Sequence, residues 1–267
     1  MVAEILEPER GSIIMDRLKG KVAVITGAST GIGKGTAELF AKEGATVVLT
    51  ARSVDRLNAL AEKIKKAGGK ALVVPGDVTE VADVRNVIEQ TIKTFGKIDI
   101  LVNNAGISDR HTAAIRVTDQ FWDQVIGTDL TSVFYFCREA LKYMVQAEEG
   151  VIVNVSSIGG VYGNAGVSYS AAKAGVIGLT KNIAIQYAGT KIRCNAVCPG
   201  PTPTELNTPE QLAKFDQEFM AICERHTDHS VGDSEVIDQA NAILFLANDE
   251  SRCITGQSLI VDRGMCL

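Results

Sequence analysis

No run of about 18 apolar residues occurs anywhere in the 267 residues, so no stretch of the sequence is built to cross a bilayer as a helix. A basic excess is also missing. The 27 Lys and Arg stand against 32 Asp and Glu, a net charge of −5, which counts against a protein whose main task is gripping nucleic acid. The amino terminus, Met1 to Asp16, mixes acids with Pro8 and Arg10 and lacks an apolar signal core, so export by that route is not expected. Proline is scarce, six residues against 25 glycines. That balance suits tight turns between regular elements and excludes a proline-rich linker. Only three histidines are present (His111, His226, His229). The six cysteines (Cys137, Cys194, Cys198, Cys223, Cys253, Cys266) follow no repeating spacing. Cys194 and Cys198 share a strand face, but two further ligands are wanting, so no metal site is expected. A chain of this length needs no disulfide staples, and reduced thiols in a cytoplasm are the simplest account.

What is present is a core. Hydrophobic residues make up 46% and charged residues 22%, the balance of a folded globular chain. Continuous apolar runs read as buried parallel strands at Val22–Ile25, Thr46–Leu49, Ala71–Val74, Ile98–Val102, Val151–Val155, Ile192–Val197 and Ser258–Val261. Helical patterns lie between them. Ile32, Gly35, Thr36, Leu39 and Phe40 mark one helix face, and Leu57, Leu60, Ala61 and Ile64 another. Val84, Val87, Ile88, Thr91, Ile92 and Phe95 repeat the rule. Alternation through the whole chain predicts a single-domain α/β, Rossmann-like doubly wound fold: a seven-stranded parallel sheet with helices on both faces. The domain spans 18–267. Residues 1–17 precede it, and 1–14 read equally as a floppy extension or as an over-long start.

Directly after the first strand comes Gly27-Ala28-Ser29-Thr30-Gly31-Ile32-Gly33, opening a helix. Glycines there let the backbone turn sharply and approach a pyrophosphate, and the helix amino end supplies free N–H groups. A ligand-free turn would read the same in isolation, but the position in an alternating sheet favours the phosphate reading. The spacing Gly-x3-Gly-x-Gly is one of three motifs in order. Asn103-Asn104-Ala105-Gly106 follows the fourth strand, and Tyr169-Ser170-Ala171-Ala172-Lys173 follows the fifth. Together they resemble the short-chain dehydrogenase/reductase family over roughly Leu18 to Met265.

The resemblance implies a dinucleotide held by Gly27, Ser29, Thr30, Gly31, Ile32 and Gly33. Asp77 and Val78 would flank the adenine, and Asn103, Ala105 and Gly106 would line the adenosine side. At the end of the second strand, Ala51 stands where an acid would bond the ribose of NAD, with Arg52 and Ser53 beside it. A guanidinium can fork onto phosphate oxygens, so NADP(H) is preferred over NAD(H). The competing reading has Arg52 merely starting the next helix in solvent. Thr30 also stands where many NADP-using relatives carry a basic residue.

Hydride transfer between an alcohol carbon and a nicotinamide needs a group that moves the hydroxyl proton. A tyrosine can do this when nearby positive charge draws its pKa down from about 10, and a lysine at i+4 shares its helix face. Tyr169/Lys173 and Tyr187/Lys191 both have this spacing. Ligands in such sheets bind beyond the carboxyl ends of strands, and the pair at 187 and 191 leads into the amino end of the sixth. Tyr169 is therefore expected to carry the proton.

By resemblance, the serine partner is Ser157, twelve positions before Tyr169, with Ser156 as the fallback. Asp129 stands where relatives usually carry an asparagine that helps hold a proton-relay water. It cannot donate, so a relay with altered pH dependence is expected. Cys198-Pro199-Gly200-Pro201-Thr202-Pro203-Thr204 resembles the segment that contacts the nicotinamide, with Pro199, Gly200, Thr202 and Thr204 as contacts. Residues from about 205 to 231 would form a substrate lid.

For substrate, the stretch from Asn182 to Val197 resembles bacterial hydroxysteroid dehydrogenases. Close rivals are the 3-oxoacyl carrier-protein reductases, whose acidic carrier should be repelled by Gln146-Ala147-Glu148-Glu149. The expectation is a small apolar hydroxy or keto compound, a steroid or bile acid first. A carrier-protein reductase and a catalytically silent NADP(H)-binding relative are the alternatives. Apolar residues on more than one side of the helices near Thr131–Val145 and Ala171–Gln186 imply, by resemblance, a homotetramer.

Overall fold

A computed structural model describes residues 16–205 and 208–267; the expectation for 1–14 lies outside them. Seven parallel strands form one sheet in the order β3-β2-β1-β4-β5-β6-β7. They are β1 (Val22–Thr26), β2 (Thr46–Thr50), β3 (Lys70–Val73), β4 (Ile100–Asn103), β5 (Glu149–Val155), β6 (Lys191–Pro199) and β7 (Ser258–Val261). Each apolar run became a strand, because a parallel sheet covered on both faces asks for side chains that tolerate burial whichever way they point. β1 and β4 are buried at every position. β4 starts two residues later than expected, at Ile100, and β6 runs two residues further, to Pro199.

Helices fill both faces. Ala37 and Phe40 of α1 (Gly31–Lys42), Leu57 and Leu60 of α2 (Val54–Lys66), and Ile243 and Leu244 of α10 (Val236–Ala247) share one core cluster. Val84 and Val87 of α3 (Val81–Phe95), Phe136 and Ala140 of α5 (Ser132–Gln146), and Val176 and Ile183 of α7 (Val167–Gln186) build the other. Connections between neighbouring parallel strands must cross over, and the strand order reverses between β1 and β4. At such a switch point the loops leave in opposite directions and open a crevice at the carboxyl ends.

Two local features serve that crevice. α4 (Asp119–Ile126) continues into α5 through a π-helical turn, Gly127–Thr131, the kind of bulge that turns one side chain off its regular helical path. That side chain is Asp129, fully buried. Short helices α8 (Pro209–Leu212) and α9 (Gln217–Cys223) cover the crevice where the lid was expected; α6 (Ile158–Tyr162) follows β5.

Candidate active site

The glycine loop is tightened by the strand beside it. Gly27 has φ +63°, and a Cβ on it would lie 2.9 Å from the Ala105 backbone and from Asn104 Nδ2. A Cβ on Gly33 would lie 2.4 Å from the same Nδ2 and 2.5 Å from the Gly27 carbonyl oxygen. Only glycine fits either place. Asn104 ties the two loops by donating from Nδ2 to the carbonyls of Thr26 (3.0 Å) and Gly27 (3.3 Å). Thr26 Oγ1 accepts in return from the amides of Asn104 and Ala105.

A cleft of about 1300 Å³ runs from this loop to the lid. Gly27, Ser29, Thr30, Gly31 and Ile32 line its first part, with Arg52, Ser53, Asp77, Val78, Ala105 and Gly106. Ser157 and Tyr169 lie along it, with Pro199, Gly200, Thr202 and Thr204. Four expected residues are not on its wall: Gly33, Asp129, Lys173 and Asn103. Gly33 packs beneath the loop. Asn103 is a correction, since its side chain points into the sheet interior and donates from Nδ2 to Asn154 Oδ1 (2.9 Å) and Cys137 Sγ (3.3 Å). The residue that reaches the cleft is its neighbour Asn104. Asn103 is the last residue of β4, so alternation across the sheet separates the two side chains.

Arg52 lies on the cleft wall rather than only in solvent, and Arg56, one turn further along α2, lines the cleft with it. The hydroxyl of Ser53, at the amino end of α2, makes no capping bond to that helix. Asp77 accepts from the Thr79 amide (3.0 Å) and hydroxyl (2.8 Å). Burial pushes this carboxyl up, yet the Thr79 bonds and Arg52 bring it below its ordinary value.

Beyond β5, two serines separate by function. Ser156 Oγ is buried and donates to the Lys173 carbonyl (2.8 Å), fastening α7 to the strand end. Ser157 faces the cleft, accepts from the Gly159 amide (3.1 Å) at the start of α6, and lies near enough to the Tyr169 phenol to lower its pKa. Lys173 Nζ sits 5.4 Å from the Tyr169 ring centroid and donates to the Val155 carbonyl (3.2 Å). Asp129 Oδ2 is 3.2 Å from the same Nζ, and its Oδ1 accepts from the Ile107 amide (2.9 Å). Gly106 makes room, because a Cβ there would come within 2.8 Å of Asp129 Oδ2.

The electrostatics departs from the sequence expectation in one respect. Burial lifts the Tyr169 phenol above its ordinary value; Lys173 and Ser157 pull it down, while Asp129 and Asp109 push it further up. The net direction is upward, so the phenol is held protonated rather than drawn toward neutrality. Burial is the largest cause and outweighs the ammonium, and the Asp129 carboxylate adds to it. Burial also works against the Lys173 ammonium, but Asp129 and Tyr169 keep it above its usual value. Tyr187 ends α7 and Lys191 begins β6 at the opposite edge of the sheet, away from the cleft.

The far part of the cleft is lined by His111, Asn164, Phe215, Met220 and Thr227, among others. Phe215, Met220 and Thr227 fall in the segment expected to form the lid; His111 and Asn164 were not anticipated, since nothing in sequence spacing places a loop after β4 against a segment about a hundred residues later. Arg116 joins the two by pairing with Asp216 and Glu218. The Asp216 amide donates to the Arg110 carbonyl (2.9 Å). The acids before β5 prove to lie elsewhere. Glu149 starts β5 at the amino edge of the sheet and pairs with Lys21 (2.6 Å). They do not face the cleft of their own subunit, so they give no argument against an acidic carrier there.

Comparison with known proteins places this arrangement. Residues 27–266 match a family model described as enoyl-(acyl carrier protein) reductase. A 3-oxoacyl-[acyl-carrier-protein] reductase, FabG, of Thermotoga maritima is 41% identical over 254 residues, covering 94% of this chain and 100% of that protein. A 3beta-hydroxysteroid dehydrogenase 2 of Eggerthella lenta is 38% identical, covering 92% and 95%. Among solved structures, a tryptophan variant of the actinorhodin polyketide ketoreductase with NADPH superposes with a TM-score of 0.82 at 31% identity, covering 91% and 96%. A short-chain dehydrogenase/reductase from Burkholderia xenovorans gives 0.83 at 33%, covering 93% and 97%.

Proposed function

The chain belongs to the short-chain dehydrogenase/reductase family, and from that premise we propose an NADP(H)-dependent interconversion of a secondary alcohol and a ketone on an apolar substrate, a hydroxysteroid or bile acid first. The coarser statement, an oxidoreductase acting on CH–OH groups, follows from membership. The observation that carries the finer one is the Ser157–Tyr169–Lys173 cluster, with Ser157 and Tyr169 on the wall of a cleft that begins at a glycine loop and Lys173 buried beside Tyr169.

The loop fits a dinucleotide. It closes through two positions that exclude a Cβ, and α1 begins there with the free amides of a helix amino end, which suit phosphate. Gly27 to Ile32, Gly106 and the Pro199–Thr204 segment would hold the coenzyme, Asp77 and Val78 its adenine. Arg52 and Ser53 would take the 2′-phosphate that separates NADP(H) from NAD(H). When bound, the coenzyme supplies hydride to the ketone carbon or takes it from the alcohol carbon.

The remaining work falls to side chains. Ser157 donates a hydrogen bond to the substrate oxygen and orients it beside the Tyr169 hydroxyl. Tyr169, held protonated, gives its proton to that oxygen during reduction. Lys173 stabilises the phenolate left behind, and Asp129 limits how far it does so. The site is thereby tuned for ketone reduction at neutral pH, with alcohol oxidation favoured only as pH rises.

A 3-oxoacyl-[acyl-carrier-protein] reductase is the second reading. Relatives of that name stand beside the hydroxysteroid dehydrogenase, and the acids once set against it lie at the wrong edge of the sheet. For assembly we propose a homotetramer, supported by apolar side chains left exposed on α5 and α7, Phe134 and Ile185 among them.

The test is a substrate panel run with NADPH and NADH in parallel. Faster NADPH consumption with ketosteroids than with acetoacetyl thioesters is expected. Preferential turnover of the thioesters establishes the second reading. Coenzyme binding without turnover of either class marks a silent relative and overturns both.

A further inference from the structure

We propose that the far end of the cleft contains a second polar subsite, formed by His111 and Asn164, that accepts a hydrogen bond from a substrate hydroxyl remote from the reacting carbon. The proposal rests on the reading of this cleft as the substrate site and narrows the substrate to one with two oxygen functions.

His111 is held in fixed relation to Tyr169 by a single buried carboxylate. Asp109 Oδ2 accepts from the Tyr169 amide (2.9 Å) and the Ser168 hydroxyl (3.1 Å), and its Oδ1 accepts from the His111 amide (3.1 Å). The carboxylate occupies the place of a missing side chain, since a Cβ on Gly166 would lie 2.1 Å from Oδ1. To reach this position His111 takes φ +50°, directly after Arg110 at +58°. A left-handed backbone at two consecutive non-glycine residues is costly and persists where surrounding contacts enforce it. The His111 ring then stacks on Phe215 of the lid at 5.1 Å between centroids.

Two polar atoms are left over. Among the described residues, His111 Nδ1 and Asn164 Oδ1 are both buried without a hydrogen-bond partner, although both residues line the cleft. The ring lies close to the Asn164 backbone, and its Nδ1 is the buried nitrogen without a partner among the described residues. The Asn164 amide is oriented by donation from Nδ2 to Thr227 Oγ1 (3.3 Å) and Cys266 Sγ (3.4 Å), so its oxygen is the unused end. Burial lowers the imidazole's pKa, and a neutral ring carries one lone pair, which lies at Nδ1 in the Nε2–H tautomer. Asn164 Oδ1 is an acceptor, and in that tautomer His111 Nδ1 is a second. Buried polar atoms are nearly always paired, and what completes two acceptors is a donor. A hydroxyl supplies one; a ketone, ether or thioester cannot.

The experiment compares two ketones that differ by one hydroxyl, 5α-androstan-3-one and 17β-hydroxy-5α-androstan-3-one, as substrates with NADPH. The wild-type chain should favour the hydroxylated ketone in kcat/KM by about tenfold, the scale of one well-made hydrogen bond. His111→Phe, which keeps the stack on Phe215, should bring the ratio near one. Asn164→Ala should reduce it as well, and serves alone if the first variant does not fold. A wild-type ratio near or below one, or the same ratio in the variants, overturns the subsite. Should neither ketone be turned over, calorimetric titration of the same two steroids decides it independently. Tighter binding of the hydroxylated one upholds the subsite while the dehydrogenase reading fails, and equal affinity or no binding overturns the subsite.

Discussion

The two ends of the cleft are made of different material. At the glycine-loop end the wall is largely backbone: strand ends and glycines, fastened by Asn104 and Thr26 to carbonyls and amides of the neighbouring loop. At the lid end the wall is side chains, brought together across about a hundred residues by Arg116, Asp216 and Glu218 and by the His111–Phe215 stack. Backbone geometry leaves little freedom, so the first end can recognise what every reaction of this type shares. Side chains on a surface excursion can be exchanged without disturbing the sheet, so the second end can be fitted to one substrate. Between the two ends lies the Ser157–Tyr169–Lys173 group, rigid like the first and facing the second.

Breaking the middle should have the largest effect. Lys173→Met removes the ammonium and strands Asp129 in the interior, which should lower activity a hundredfold or more and stability by about 3–5 kcal/mol. Pairing it with Asp129→Leu should restore most of the stability in a denaturant titration and none of the activity. If activity returns as well, the lysine acts only as a partner for the carboxylate.

The loop end comes next. Arg52→Ala should weaken NADPH binding by about tenfold or more, the scale of a charge-assisted bond to phosphate, and leave NADH binding unchanged in a fluorescence titration. Equal losses for both coenzymes would show that Arg52 shapes the loop without reading the phosphate.

A smaller effect sharpens the electrostatics. Asp129→Asn should move the pH dependence of alcohol oxidation toward lower pH, because removing the carboxylate leaves Lys173 free to draw the Tyr169 phenol down. An unmoved profile would reduce Asp129 to a structural substitute.

The smallest effect is one of stability at the lid end, separate from the substrate preference assigned to His111 above. Burial keeps His111 below its usual pKa of 6.5. The unfolded chain therefore binds the proton more readily, and stability is lost as pH falls through about 6.5 and below. His111→Phe should flatten that acid limb in melting curves recorded from pH 7.5 to 5. A limb of the same slope in the variant would assign the loss to other groups.

The same contrast explains what the sequence made legible. Strands buried on both faces leave continuous apolar runs, so all seven could be located, and the choice of Tyr169 over Tyr187 followed from which sheet edge each approaches. Reading failed where a one-residue difference decides direction. Asn103 and Asn104 are chemically identical, and only the alternation of side chains at the end of β4 sends one inward and the other to the cleft. It failed again where distance in the chain hides proximity. Arg116 and Asp216 carry no shared pattern, and neither do His111 and Phe215. The phenol's upward shift was out of reach for a third reason: spacing shows that a lysine is near, and Asp129 was expected beside it, but spacing does not show that burial outweighs the lysine's charge.

The most direct test of the central claim follows deuterium and proton chemistry together at Tyr169. With NADPH deuterated at the nicotinamide C4 and a ketosteroid at neutral pH, the wild-type protein should deliver label to the product's carbinol carbon. Tyr169→Phe should bind the coenzyme as before and lose turnover by at least a hundredfold, within the range for removing a positioned acid. Labelled alcohol formed by that variant at the wild-type rate would contradict the account.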